Sequence, residues 1–246
     1  MAVVQKIICK VEGIRNHGER VYTLDLQPER ALPRFQPGQF LHLALDDYDP
    51  SGFWPESRVF SIASSPLQRR NLRISYSVRG RFTARMEKEL HEGQHVWIKL
   101  PYGEFIIDGR SDIVLIAGGT GITAFTSFLD GLKPEFKHAV NLAYGARTRE
   151  LLVYRPLLEQ RAKEILQLKV LYFMEQEANN QFIPTVAAER NEYIGRISLP
   201  VLWPKIRNPF EAIFYISGPP SMLKNVSQEL RNAGIEAESI RIDAWE

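Results

Sequence analysis

The chain has 246 residues, with 31 Lys and Arg set against 29 Asp and Glu for a formal net charge of +2, a balance that argues against a dedicated nucleic-acid binder, which needs clustered positive charge. The single cysteine, Cys9, excludes an internal disulfide, an all-cysteine zinc site and a cysteine-ligated iron–sulfur cluster within this sequence. No apolar run reaches the roughly 18 residues of a membrane span, and Met1-Ala2-Val3-Val4-Gln5-Lys6 lacks the basic-then-apolar order of a signal peptide; the expectation is a soluble cytoplasmic protein with no membrane span.

Residues 1–108 read as short strands punctuated by Gly and Pro. Loose alternation over Val21–Leu26, Gln39–Leu45, Leu72–Val78 and His95–Leu100 marks half-buried antiparallel strands, and their spacing suggests a small closed barrel or sandwich. A further strand-like stretch lies between Pro55 and Pro66. One helix is expected from Thr83 to His91, with Thr83 as its cap and Met86 and Leu90 on one face.

Residues 109–246 change period. Asp112-Ile113-Val114-Leu115-Ile116-Ala117 is a near-continuous apolar run, as in a strand buried on both faces. A helix over Thr123–Leu132 follows, then strands at Val140–Tyr144, Leu168–Phe173 and Ala212–Ser217 with helices at Leu151–Ile165 and Ser221–Ala233. That alternation predicts a parallel α/β sheet. The boundary falls in Asp108-Gly109-Arg110-Ser111. The expected organisation is a two-domain chain, antiparallel strands at 1–108 and a parallel α/β domain at 109–246.

Two glycine turns lie where such a sheet binds ligands. Gly118-Gly119-Thr120-Gly121-Ile122 joins the first buried strand to a helix, and Gly218-Pro219-Pro220-Ser221-Met222 does so after a later strand. Glycine allows close backbone approach, and a helix N-terminus favours anions. Both turns belong at the carboxyl ends of strands, where ligands of open parallel sheets sit. Neither is a G-x-G-x-x-G fingerprint or a P-loop. None of His17, His42, His91, His95 and His138 forms an H-E-x-x-H motif, and no metal site is expected.

With Arg58-Val59-Phe60-Ser61 ahead of these turns, the order of motifs resembles the ferredoxin–NADP reductase superfamily over nearly the whole chain, which implies an antiparallel Greek-key β-barrel flavin domain at 1–108 followed by a nucleotide-binding α/β domain at 109–246. Arg58 to Ser61 is similar to its Arg-x-Tyr-Ser, with Phe60 in the tyrosine position. Phe35-Gln36-Pro37-Gly38-Gln39-Phe40, Gly80-Arg81-Phe82-Thr83, Pro101-Tyr102-Gly103-Glu104-Phe105 and Ser217-Gly218-Pro219-Pro220 resemble further family motifs in the family's order. The resemblance implies FAD, in preference to FMN, with Arg58 on a flavin phosphate, Phe60 packed on the isoalloxazine and Ser61 near flavin N5. It implies Val59, Tyr76, Ser77, Val78, Gly80, Phe82 and Thr83 as further flavin contacts. Gly118, Gly119, Thr120, Gly121, Ile122, Gly218, Pro219, Pro220 and Met222 are implied for the nicotinamide dinucleotide. The ending Ile240-Arg241-Ile242-Asp243-Ala244-Trp245-Glu246 resembles the family's acidic-x-aromatic terminus. It implies Trp245 over the other flavin face and Asp243 near the reaction centre, so that Ser61, Asp243 and Trp245 form the catalytic set. Ser217 stands where many members carry Cys, and Ala124 replaces a proline.

For NADPH against NADH the residues divide. Arg147 and Arg149 follow the Val140–Tyr144 strand, and Arg196 resembles a position near a 2′-phosphate; Glu175, in Met174-Glu175-Gln176, would repel a phosphate and accept ribose hydroxyls. The three arginines tip the expectation slightly to NADPH. Reduced flavin then needs an acceptor. With one cysteine, this sequence is expected to pass electrons to a separate carrier, ferredoxin or flavodoxin, or to an oxygenase component. Arg69, Arg70, Arg73, Arg79, Arg81 and Arg85 form either a docking surface for an acidic carrier or a solvated face. A flavin reductase that releases its flavin, and a non-catalytic electron-transfer subunit of a complex, are the alternatives.

Overall fold

The computed structural model describes residues 3–175 and 191–243. The twelve strands in this stretch form two six-stranded sheets, accompanied by five α-helices. The first comprises β1 (Gln5–Asn16), β2 (Val21–Pro28), β3 (Phe40–Ala44), β4 (Ser57–Ser61), β5 (Leu72–Ser77) and β6 (His95–Tyr102). Its spatial order is β4-β3-β6-β1-β2-β5 with antiparallel neighbours throughout. The two edges approach each other just past β4, where the Ala63 N–H donates to the Arg73 carbonyl at 2.9 Å, and the sheet is a nearly closed barrel.

Period-2 alternation fills that barrel. Ile7, Cys9 and Val11 of β1, Leu24 and Leu26 of β2, Leu41 and Leu43 of β3, and Ile98 and Leu100 of β6 are all buried in one core. Burial pushes the Cys9 thiol up to about 12, which leaves it protonated and unreactive near neutrality. β1 is not foreseen from the sequence. Its alternation is blurred by outward Ile8 and by a register shift between Val11 and Gly13, a bulge that breaks strict period 2.

Helix α1 (Arg81–Glu89) starts two residues before the expected Thr83. Gly80 is the N-cap, and Thr83 lies at N3. The Thr83 hydroxyl oxygen reaches back to accept the N–H groups of Arg79 at 3.0 Å and Gly80 at 3.1 Å, because a glycine cap has no side chain to do so. Phe82 and Met86 bury its inner face.

The Pro37-Gly38-Gln39 turn is tied to the segment after β6. Gly38 has φ +93°, and a Cβ there would overlap the Phe105 carbonyl oxygen, so only glycine fits. Gln39 accepts from the Gln36 N–H at 2.9 Å and donates to the Gly103 carbonyl at 3.1 Å. Two of the motifs that resemble family markers therefore brace each other.

The second sheet holds β7 (Ile113–Gly118), β8 (Val140–Ala146), β9 (Leu168–Met174), β10 (Glu192–Ile194), β11 (Ile213–Ser217) and β12 (Ile240–Asp243). All neighbours are parallel, in the order β10-β9-β8-β7-β11-β12. Every residue of β7 is buried, as its unbroken apolar run predicted. Helix α2 (Thr123–Gly131) follows a 3-10 turn at Gly119–Ile122. Helix α3 (Arg155–Glu164) begins four residues after the expected Leu151, with Pro156 in its first turn. The short α4 (Leu199–Leu202) and α5 (Pro220–Asn232) cover one sheet face, where Leu199, Leu202, Val226 and Leu230 pack with Val114, Ile116, Phe214 and Ile216.

By internal contacts the chain divides into one unit of Met1–Ile107 with Thr123–Gly131 and another of Asp108–Ile122 with Leu132–Glu246. Within the first, the ring of Phe125 on α2 lies 6.2 Å from that of Phe105. Among the described residues no helix is long and apolar enough to cross a membrane.

Candidate functional site

In the barrel unit, strand β4 sorts its candidates by face. Arg58 opposes Leu43 and Phe60 opposes Leu41 across β3, while Val59 and Ser61 oppose His42 and Phe40. Alternation therefore puts Arg58 and Phe60 on one side of the strand and Val59 and Ser61 on the other. Phe60 is half-buried and meets the buried Tyr76 of β5 edge-on at 6.1 Å. Tyr76 in turn stacks on Tyr22 at 5.4 Å. The Arg58 guanidinium lies 5.9 Å from the Phe82 ring in the first turn of α1. It makes a long 3.4 Å hydrogen bond to the Ser57 carbonyl.

Other arginines of this unit are engaged. Arg73 pairs with Asp25 at 2.5 Å, and Arg81 with Glu56 at 3.1 Å. Arg85 binds Asp46 at 2.8 Å and Glu89 at 3.0 Å, and Arg69 donates to the Leu32 carbonyl at 2.7 Å. Much of the arginine run is thus neutralised locally, and its geometry favours the solvated-face reading over a bare docking surface. Arg58 has no such carboxylate among the described residues. Beside it, the first three N–H groups of α1 have no intrahelical acceptor, and a Cβ on Gly80 would meet nothing within 4 Å. A permanently charged fork, an open backbone turn and a helix N-terminus together suit a phosphate. The Thr83 hydroxyl shapes this turn. Ser77 lies at the end of β5 opposite Val21, and the Val78 N–H donates to the Arg20 carbonyl at 3.0 Å.

In the α/β unit the two glycine turns pack against each other. A Cβ on Gly118 would lie 2.7 Å from the Met222 sulfur and 2.9 Å from Pro219. One on Gly121 would overlap the Ser217 carbonyl and stand 2.7 Å from the Gly218 nitrogen, and one on Gly218 would lie 3.0 Å from the Gly118 backbone. The glycines at these positions are required first by turn-on-turn contact. Ile122 is fully buried, Thr120 is half-buried, and Pro219 and Pro220 cap and start α5. At the paired carboxyl ends of β11 and β12 the Ser217 hydroxyl donates to Asp243 Oδ2 at 2.9 Å. Trp245 and Gln176 lie outside the described residues.

Beyond β8 two of the three arginines offered by the sequence as phosphate candidates, Arg149 and Arg196, meet carboxylates. Arg149 forks onto the buried Glu192, with Nη1 to Oε1 at 3.0 Å and Nη2 to Oε2 at 2.6 Å. Arg155 adds a third bond to Glu192 Oε1 at 2.6 Å, and its guanidinium lies 5.0 Å from the Tyr172 ring centre. Arg196 pairs with Glu175 at 3.5 Å. Arg147 directly follows β8. Glu192 is invisible to sequence reasoning: it is 43 residues from Arg149, and no local pattern marks it.

Burial pushes the Glu192 carboxyl up, but hydrogen bonds from Arg149 and Arg155 outweigh it and hold the group below the ordinary value of 4.5. A depressed carboxyl contributes stability above its unfolded pKa and loses it as pH falls through the folded one. Wild type is expected to exceed Glu192→Gln by about 2 kcal/mol at pH 7, below the range for fully buried pairs because Arg149 stays 41% exposed. Urea melts should show that gap closing below about pH 4; a gap unchanged to pH 3 refutes the assignment.

Residues 115–228 match the family model described as an oxidoreductase NAD-binding domain. The flavohemoprotein of Bacillus subtilis is 26% identical over 244 residues, covering 97% of this chain and 58% of that protein. The NAD(P)H-flavin reductase of Vibrio harveyi is 26% identical over 254 residues, covering 97% and 98%. The ferredoxin reductase in carbazole 1,9a-dioxygenase shares the fold with a TM-score of 0.79 at 21% identity, over 99% of this chain and 70% of that one. The chain spans only 53–60% of several curated relatives.

Proposed function

We propose that the chain is a member of the ferredoxin–NADP reductase superfamily and an NAD(P)H-dependent flavoprotein reductase. It takes hydride from a nicotinamide dinucleotide onto bound FAD and passes electrons to a separate carrier, such as ferredoxin or flavodoxin, or to an oxygenase component. What supports the reading is that each unit carries a feature suited to an anion. One is Arg58 beside the open first turn of α1; the other is the pair of locked glycine turns at the carboxyl ends of β7 and β11. A dinucleotide flavin and a nicotinamide dinucleotide each present a pyrophosphate to such a feature.

When bound, the flavin supplies the chemistry that links a two-electron donor to an electron acceptor. The chain's residues bind and orient. Arg58 holds phosphate charge, and the half-buried Phe60 offers an apolar face on the same side of β4. Asp243, fixed by the Ser217 hydroxyl, keeps a carboxylate at the ends of β11 and β12. Trp245 belongs to this proposal as the aromatic cover of the flavin. A cytoplasmic setting fits the lone buried Cys9 and belongs to the same reading.

Anaerobic titration of the purified flavoprotein with NADH and NADPH is expected to bleach the oxidised flavin band stoichiometrically. No bleaching with either nucleotide favours a non-catalytic subunit and rejects the proposal. A second reading, a flavin reductase whose flavin exchanges with solution, is favoured by end-to-end correspondence with the Vibrio harveyi enzyme. Flavin lost on gel filtration, with turnover that depends on added flavin, would select it.

A further inference from the structure

We infer that the ε-amine of Lys99, on the outer wall of the barrel, is an acylation site that takes an acyl group from an acyl phosphate or an acyl thioester. Its neighbours all belong to the barrel unit, and none of them is a residue assigned above to flavin or nicotinamide dinucleotide.

Ile98 and Leu100 of β6 point into the core, so Lys99 between them points outward. Its register partner on β1 is Lys6, and on β3 it is His42. Two ammonium groups therefore stand opposite each other on one face of neighbouring strands, an arrangement that destabilises a sheet. Among the described residues no carboxylate answers Lys99. The segment between β3 and β4 folds over this wall, but its acids are held elsewhere. Glu56 and Asp46 pair with Arg81 and Arg85 of α1, and Asp49 accepts from the Ser51 hydroxyl at 2.7 Å within its own turn. What the segment brings to the lysines is aromatic. Tyr48 packs on Trp54 and Trp97 and accepts a hydrogen bond from the Lys6 ammonium. The ring centres of Trp54 and of Tyr102 on β6 lie 5.1 and 5.6 Å from Lys99 Nζ.

These rings take water from the ammonium, and at such distances they return only the weak outer part of a cation–π attraction. Burial first, and the charge of Lys6 second, hold the Lys99 ammonium below the ordinary lysine value. The other titratable neighbours supply no anion. Burial and the Lys99 charge lower His42, which leaves its ring neutral at pH 7, and burial pushes the Tyr102 phenol up. A larger share of Lys99 is thus free amine, with its lone pair available, than of a lysine in water. The side chain is half-buried, and a small donor reaches it. The lone pair attacks the acyl carbonyl carbon and forms a C–N bond. The bond from that carbon to the phosphate oxygen or thioester sulfur breaks, its electron pair leaves with the phosphate or thiolate, and the surplus proton passes from nitrogen to water. Nothing is oxidised or reduced. The amide carries no charge, which ends the like-charge opposition with Lys6.

The test incubates the purified flavoprotein with acetyl phosphate and, separately, with acetyl-coenzyme A, from about pH 7 to pH 11, across the ordinary lysine range. Peptide mass spectrometry follows each lysine in wild type and in Lys6→Met. Near neutral pH, Lys99 is expected to acetylate at least about threefold faster than the exposed Lys10 of β1, with a rate–pH midpoint below 10.5. Lys6→Met keeps an unbranched stem and removes the charge; it should slow Lys99 by about two- to fivefold, the weight of one like-charge cross-strand pair, and leave Lys10 unchanged. Preferential labelling by one donor alone supports the inference and identifies the acyl source as phosphate or thioester. A Lys99 rate no greater than that of Lys10 with both donors overturns it, as does a midpoint at or above 10.5. So does a Lys99 rate unmoved in Lys6→Met, or acetylation of Lys6 in place of Lys99.

Discussion

Gly121→Ala is expected to destabilise the α/β unit by about 3 kcal/mol, near the upper range for an inserted methyl in a close-packed site. In a chain of this size that lowers the melting temperature by roughly 6–12 °C. The added carbon overlaps the Ser217 carbonyl and crowds the Gly218 nitrogen. Both obstacles are backbone, which cannot rotate aside as a side-chain tip can. Relief requires the turn after β7 to part from the turn after β11, and nicotinamide-dinucleotide affinity should fall with stability. Gly119→Ala is the control. Its φ is +55°, and an added Cβ there would meet nothing within 4 Å, so only the left-handed penalty of about 1–2 kcal/mol applies. Equal melting temperatures for the two variants would show that glycine serves backbone freedom alone and that the turns do not interlock.

That contrast marks what a sequence can convey. The glycines were legible as punctuation between an apolar strand and a helix, and their likeness to ligand-binding turns followed. Their mutual contact was not, because Gly121 and Ser217 are nearly a hundred positions apart and nothing in either segment encodes the other. The same limit hid Glu192. Within a strand it is one carboxylate in a three-residue segment; its meaning comes from Arg149 and Arg155, which reach it from the segment following β8. Local rules also misplaced Thr83: a hydroxyl at a helix start reads as a cap, yet here it is the third helical residue bonding backward across a glycine. The sheet periods, by contrast, survived translation into structure. Period 2 gave the barrel interior and the unbroken apolar run gave β7, since burial on one face or two acts residue by residue along the strand.

The arginine run shows composition and geometry parting company. Six arginines between positions 69 and 85 suggested a field that would steer an acidic partner. Asp25, Asp46, Glu56 and Glu89 stand against Arg73, Arg81 and Arg85, and paired surface charges project little beyond a Debye length. Arg58 stands outside this compensation. It is one of several arginines by sequence, distinguished there only by the Phe and Ser that follow. In the fold it sits beside the open turn of α1, with no acidic neighbour bonded to it among the described residues.

Arg58→Gln is therefore expected to weaken flavin binding by roughly 10–100-fold, the weight of a charge-assisted hydrogen bond to phosphate. Equilibrium titration of the apoprotein, read by flavin fluorescence, measures it. Glutamine keeps a polar donor but is shorter and loses the fork and the charge, so the loss reports the guanidinium contact as a whole. Arg81→Gln is the matched comparison: its guanidinium is 83% exposed and already held by Glu56, and it should change flavin affinity less than about threefold, as exposed ion pairs contribute little. The pair of variants separates two physical claims. If both weaken binding equally, the flavin phosphates are drawn by summed positive charge and the carboxylate pairing of Arg81 is irrelevant. If Arg58 alone matters, and its effect persists at high salt, the contact is a specific bidentate one that screening does not reach. If neither matters, phosphate is held by the α1 backbone alone, and the open turn at Gly80, where an added Cβ meets nothing within 4 Å, becomes the element on which flavin affinity depends.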